Sequence, residues 1–151
     1  MDVTIVQQPD LRVAGIRHIG AYNEIGIEFR RLGALLNGPP PAGAQMIAVF
    51  HDDPGVTPTD QLRSDAALTL PGNAHAPDGL LEQRVPAGRY ARTVHQGGYE
   101  GLPAAWNALR TEWLAASGHR MGRPSYEVYL NNPMTTPKEG LLTEIYMRIA
   151  D

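Results

Sequence analysis

Two kinds of hydrophobic periodicity run through the chain, and the combination occurs twice. Ile25, Phe29, Leu32 and Leu36 stand at i, i+4, i+7 and i+11, a spacing that gathers one face of an α-helix. Leu102, Trp106, Leu109 and Trp113 repeat that spacing, with Pro103 in the first turn, where a missing N–H is harmless. Gly38-Pro-Pro-Pro41 should end the first helix and Ser117-Gly118 the second. Gly26 and Gly33 each weaken the first helix by about 1 kcal/mol relative to alanine, so it must lean on packing. Alternation of period two predicts strands over Gln45 to His51, Ser64 to Leu70, Ser125 to Leu130 and Leu142 to Ile149. Val3 to Gln8 and Leu80 to Val85 are weaker strand candidates.

The two patterns belong to an internal repeat. Val13-Ala-Gly-Ile-Arg-His18-Ile-Gly-Ala-Tyr22 aligns with Tyr90-Ala-Arg-Thr-Val-His95-Gln-Gly-Gly-Tyr99 at an offset of 77 positions. The same offset sets Phe29 over Trp106, Leu32 over Leu109 and Leu36 over Trp113. After a loop two residues longer in the second copy, Val49 to Pro58 lies over Val128 to Pro137 at an offset of 79. Each copy reads as strand, helix, strand, strand, with repeat one over about 11–70 and repeat two over about 88–150. Units of this size are poor at burying a core alone, so one α+β domain over 1–151 is expected, its copies sharing a sheet or a core. Pro71 to Asp78 is a loop connecting the copies, with His75 solvated in it.

Thr57-Pro-Thr-Asp60 and Thr136-Pro-Lys-Glu139 have capping-box spacing with proline at the first helical position, and each predicts one helical turn. Asp52-Asp53 resembles a metal-binding pair, but its counterpart is Asn131-Asn132, and amides serve a turn as well as carboxylates do. His18 and His95 occupy matched positions, which favours a shared scaffold hydrogen bond over catalysis.

Composition narrows the chemistry. A net charge of −3 and scattered Lys and Arg residues give no basic stripe for nucleic acid. Without cysteine there are no disulfides, thiolate metal sites or cysteine nucleophiles. The five histidines lack metal-ligand spacing, no serine sits in a Gly-x-Ser-x-Gly setting, and no glycine loop suits a phosphate, so neither metal nor cofactor is expected. The N-terminus has no signal-peptide pattern, and no apolar run approaches the roughly 18 residues of a membrane span. A cytoplasmic protein is expected.

Function should lie where the copies differ. In the strand Ser125 to Leu130, Tyr126, Val128 and Leu130 share one face, expected to cover the helices, and Glu127 and Tyr129 share the other. Glu127 stands where the first copy has Ala48, and Tyr129 where it has Phe50. In the last strand Tyr146 lies over Ala67 and is expected to join Glu127 and Tyr129. Trp106 is mostly core, with a ring edge able to reach a groove. An acid among aromatic rings has two uses: anchoring a cationic planar ligand, or, with its pKa raised by desolvation, acting as a general acid or base. A solvated strand position is the third reading of Glu127.

At these residues the chain resembles the GyrI-like family, the effector-binding domain of AraC-type and related multidrug-sensing regulators. The resemblance rests on Arg89-Tyr90-Ala91…His95-Gln-Gly-Gly-Tyr99, on Trp106-Asn-Ala-Leu109…Trp113-Leu114, on Tyr126-Glu127-Val-Tyr129-Leu-Asn-Asn132-Pro133 with Thr136-Pro137, and on Leu142-Thr-Glu-Ile-Tyr146-Met. It implies two repeats related by a pseudo-twofold, a ligand cleft between them, a glutamate at Glu127 in that cleft, and aromatics at Tyr90, Tyr129 and Tyr146. With Phe50 and Trp106 these make up the candidate ligand-binding set.

Such regulators also carry a helix-turn-helix domain, for which no residues remain here, so a stand-alone member that does not itself bind nucleic acid is expected. Three functions follow from the resemblance. The domain could bind small amphipathic or cationic aromatic molecules with Glu127 as anchor. It could hydrolyse electrophilic strained-ring natural products with Glu127 as the catalytic residue. It could inhibit DNA gyrase through protein contacts, with a topoisomerase or a regulator as partner.

Overall fold

A computed structural model describes residues 1–36 and 38–150. The domain expected over 1–151 therefore includes two positions, Asn37 and Asp151, outside the described residues. Eight strands form one antiparallel sheet, curled into a half-barrel. They are β1 (Thr4–Gln8), β2 (Leu11–Ile19), β3 (Met46–Phe50), β4 (Arg63–Thr69), β5 (Leu81–Val85), β6 (Gly88–Gln96), β7 (Ser125–Tyr129) and β8 (Leu142–Arg148). Their spatial order is β1-β6-β8-β7-β3-β4-β2-β5, so the central pair β3 and β7 joins the two halves of the chain. The weaker candidates at the N-terminus and near residue 80 are the two edge strands.

Helix α1 (Gly26–Leu35) follows β2, and α2 (Leu102–Ala108) follows β6. The latter continues through a π-helical segment, Leu109–Leu114, into α3 (Ala115–Ser117), where Gly118 ends the run at φ 79°. Leu32, Leu102, Trp106 and Leu109 are buried, as the periodicity predicts. No helix among the described residues is long and apolar enough to cross a membrane.

Strand alternation is as expected, but the assignment of faces is reversed. The helices cover the face carrying Ala91, Ile145, Met147, Phe50 and Tyr129. Tyr126 and Val128 lie on the other face, in a core with Val13, Ile47, Val49, Ala67 and Val85. Register decides this. Ile145 pairs with Glu127, and Tyr146 pairs with Tyr126, so Tyr146 points away from Glu127.

The short turns are also corrected in detail. Each forms as a 3₁₀ turn, Thr59–Gln61 and Lys138–Gly140, starting one residue later than the capping-box reading requires. Pro58 and Pro137 thus hold the N-cap positions, and proline has no side-chain acceptor to offer there. The acidic and amide pairs do serve turns. Asp53 Oδ1 accepts from the Gly55 amide at 2.8 Å, and Asn132 Oδ1 accepts from the Met134 amide at 2.8 Å. Asp52 takes the Arg63 amide and guanidinium, and Asn131 takes the Leu142 amide. The matched histidines hold the strand-to-helix corners: His18 Nε2 donates to the Ala21 carbonyl and His95 Nε2 to the Gly98 carbonyl, both at 2.9 Å.

Candidate functional site

Over the β3–β7 pair, between α1 and α2, lies a cavity of about 1380 Å³. Alternation along β7 aims Ser125, Glu127 and Tyr129 into it, and β3 contributes Met46 and Phe50. Ile25 and Phe29 enter from α1, and Leu102, Trp106 and Arg110 from the second helix. Tyr22 and Tyr99, on the turns preceding the helices, close its sides.

The rings interlock across the cavity floor. Tyr22 meets Phe50 at a centroid distance of 4.8 Å, and Tyr99 meets Tyr129 at 5.3 Å. Phe29 meets Tyr129 edge-on at 5.6 Å, and Trp106 meets Phe50 edge-on at 5.8 Å. Helix rings of one half therefore pack on strand rings of the other, and edge-to-face contacts of this kind add to plain area burial.

Glu127 sits within this aromatic wall with 4% of its surface exposed. Trp106 Nε1–H donates to Oε2 at 2.5 Å, and the Tyr129 hydroxyl donates to Oε1 at 2.8 Å. Both of these donors are neutral, and the charge of His95 acts on the carboxyl only through space. Burial pushes its pKa above the ordinary carboxylate value, while the two donors pull the other way without reversing it. Burial and the nearby carboxyl also hold the Tyr129 and Tyr99 phenols in their neutral forms, with pKa values raised. Such a carboxyl can accept a ligand cation, whose charge the ring faces also favour, or exchange a proton with a bound molecule. Among the described residues no group of three or more His, Asp or Glu side chains is placed to hold a metal ion.

Four of the six sequence-predicted site residues, Glu127, Tyr129, Phe50 and Trp106, meet at this cavity. The other two do not. Tyr90 and Tyr146 lie in the core on the opposite face of the sheet, in ring contact with each other at 6.2 Å and with Tyr126 at 5.1 and 4.6 Å. Tyr90 donates to the Pro86 carbonyl, and Arg148 lies over its ring. Sequence reasoning missed Tyr22, Phe29, Tyr99 and Arg110. The repeat held the signal for the first three, since Tyr22 and Tyr99 are matched positions and Phe29 is the counterpart of Trp106.

Comparison with known proteins agrees with this architecture. The family model described as GyrI-like small molecule binding domain matches residues 1–150. The DNA gyrase inhibitor of Escherichia coli (strain K12) is 28% identical over 137 residues, covering 87% of each chain. The crystal structure of the EcmrR C-terminal domain matches with a TM-score of 0.79 at 16% identity, over 99% of this chain and 98% of that one. The structure of SAV2435 bound to tetraphenylphosphonium matches with a TM-score of 0.73 at 15% identity, over 99% and 94%. At these identities the two structures share the fold with this chain.

Proposed function

We propose, from the premise that the chain belongs to the family of GyrI-like small molecule binding domains, that its cavity binds amphipathic organic cations and that Glu127 anchors them. The observation carrying this reading is a buried carboxyl hydrogen-bonded by two neutral donors, Trp106 and Tyr129, and set in an aromatic wall. A cation entering there gains the carboxylate and the ring faces together. SAV2435, which shares the fold, was solved with such a cation, tetraphenylphosphonium.

The repeat explains the site's position. We read the chain as two strand-helix-strand-strand units related by a pseudo-twofold, with a ligand cleft between them. Supporting this, the sheet order runs β6-β8-β7 outward to inward in one half and β2-β4-β3 in the other. The matched histidine, Asp53/Asn132 and ring contacts support it further. Ala48 and Glu127, counterparts in the repeat, are also direct partners in the ladder, so the axis passes between them. In this reading the protein works in the cytoplasm as a binding or sensing domain.

Titration with tetraphenylphosphonium, read by tryptophan fluorescence, tests the proposal. Wild-type protein should saturate, and Glu127→Gln should bind at least about tenfold more weakly, a change of about 1.4 kcal/mol. Equal binding by the two proteins would sink the anchor role.

The upward pKa shift of Glu127 favours a second reading, a hydrolase in which this carboxyl activates water against a strained electrophile. Product formation lost in Glu127→Gln, with binding retained, would select it. The name of the E. coli relative raises gyrase as a protein partner. Inhibition of supercoiling that is indifferent to Glu127→Gln would select that role.

A further inference from the structure

The cavity holds a second charged group that the cation-anchor reading leaves without a task. Arg110 lines it from the π-helical segment, one turn beyond Trp106, with its side chain half-buried. Among the described residues it is the one cavity-lining arginine or lysine, and no hydrogen bond or ion pair holds its guanidinium. The carboxyls of the same cavity already have partners. Asp52 is held by Arg63, Glu100 by Lys138, and Glu127 by Trp106 and Tyr129. A guanidinium stays charged and is shaped for two-point binding of a carboxylate or phosphate.

The repeat shows that Arg110 belongs to a pattern. Glu127 and Tyr129 stand against Ala48 and Phe50 in the other copy, and Trp106 against Phe29. Arg110 stands against Gly33, which also lines the cavity and has open space where a side chain would begin. At all four positions the second half carries the polar group and the first half carries none. At these four matched positions the second half thus adds a carboxyl and a guanidinium that the first half lacks, although Tyr22, Asn23, Gln45 and Asp52 of the first half line the cavity elsewhere.

We propose that Arg110 is a second ligand anchor, and that the site selects amphipathic zwitterions: molecules with a cationic centre for Glu127, an anionic group for Arg110, and an apolar body laid toward Phe29 and Phe50. The proposal rests on the cation-anchor reading of Glu127. Arg110 also sets a specificity, because its unpaired charge opposes a ligand that brings a cation and nothing to neutralise the guanidinium.

Matched ligands test this. Phenethyltrimethylammonium is compared with its α-carboxylate (N,N,N-trimethylphenylalanine betaine) and with its para-carboxymethyl derivative, which places the anion at a longer distance. Affinities are measured by calorimetry on the full chain at low salt. Wild-type protein should prefer at least one zwitterion over the cation by about tenfold. Arg110→Gln should erase that preference while binding the cation as well as wild type or better. Arg110→Lys, which keeps the charge but loses the fork, should leave an intermediate preference. Equal wild-type affinity for all three ligands, or a preference that survives in Arg110→Gln, would overturn the role of Arg110. Unchanged cation affinity in Glu127→Gln would overturn the underlying reading instead, whatever the zwitterions do.

Discussion

Glu127 faces Ala48 directly across the β3–β7 ladder, and the contrast between these two residues shapes the site. Ala48 is fully buried beneath Ile25 and Phe29, so α1 packs tightly on its half of the floor. Glu127 is held by Trp106 and Tyr129, and its burial is unfavourable for the charged form. If Glu127 anchors a ligand as proposed, that role is set against stability.

That opposition predicts how Glu127→Gln behaves. The folded-state pKa of Glu127 is raised, so below the unfolded value near 4.5 the carboxyl is neutral in both states and costs nothing. As pH climbs through the window between the unfolded and folded values, the unfolded chain ionises first and native stability falls. Glutamine can still accept from Trp106 and donate to the Tyr129 oxygen. The variant should therefore be more stable than wild type at neutral pH, by about 0.5–2 kcal/mol. The gap should close at pH 4. Urea denaturation at the two pH values measures it, and a variant less stable at pH 7 would contradict the account.

Tyr129→Phe removes one of the two donors that favour the ionised carboxyl. The pKa of Glu127 should then rise further, because burial acts with less opposition. A cation needs the ionised form, so its affinity rises with pH through this pKa. The midpoint of that rise should sit at higher pH in Tyr129→Phe than in wild type. The fold should lose only about 1 kcal/mol, the usual scale of one hydrogen bond. Tetraphenylphosphonium titrations between pH 4 and 8 give the midpoints, and coincident curves would show that the hydroxyl does not tune the acid.

Tyr90 and Tyr146 mark the limit of what the sequence could show. Alternation correctly separates Glu127 and Tyr129 from Tyr126, and the helix spacing correctly buries Trp106. Periodicity within a strand cannot say which face meets a helix, because both faces of this sheet are apolar: a curled sheet buries its second face against itself. Nor does it fix register between β7 and β8, where a slip of one residue moves Tyr146 to the other side. Arg110 was illegible for another reason. An arginine on a helix reads as solvated surface until the fold shows the cavity it lines. The relocation of the two tyrosines has a direct test. Tyr90→Phe and Tyr146→Phe should change ligand affinity less than about twofold, since their hydroxyls lie across the sheet from the cavity. A tenfold loss in either would return them to the site.

The helix α1 that walls the cavity is tied down by a buried contact between a carboxyl and an imidazole, and this gives the last prediction. Glu28 and His18 are both largely buried and bonded through His18 Nδ1, while Arg31 Nη1 donates to Glu28 Oε1 at 3.0 Å. With His18 Nε2 donating to the Ala21 carbonyl, both ring nitrogens are engaged. The counterpart of Glu28 is Ala105, so this cross-link belongs to the first half alone. Burial pushes the Glu28 carboxyl up, but the hydrogen bonds from His18 and Arg31 outweigh it and hold the pKa below the ordinary value. A depressed pKa means stability that is present above the unfolded value near 4.5 and lost as pH falls toward the folded one. Glu28→Ala leaves a buried imidazole nitrogen without its partner and should cost about 2 kcal/mol at pH 7. The difference from wild type should shrink below pH 4, as the native carboxyl itself becomes protonated. Chemical denaturation across that range follows the loss, and a penalty that stays constant with pH would assign it to packing instead of to the ionised carboxylate of Glu28.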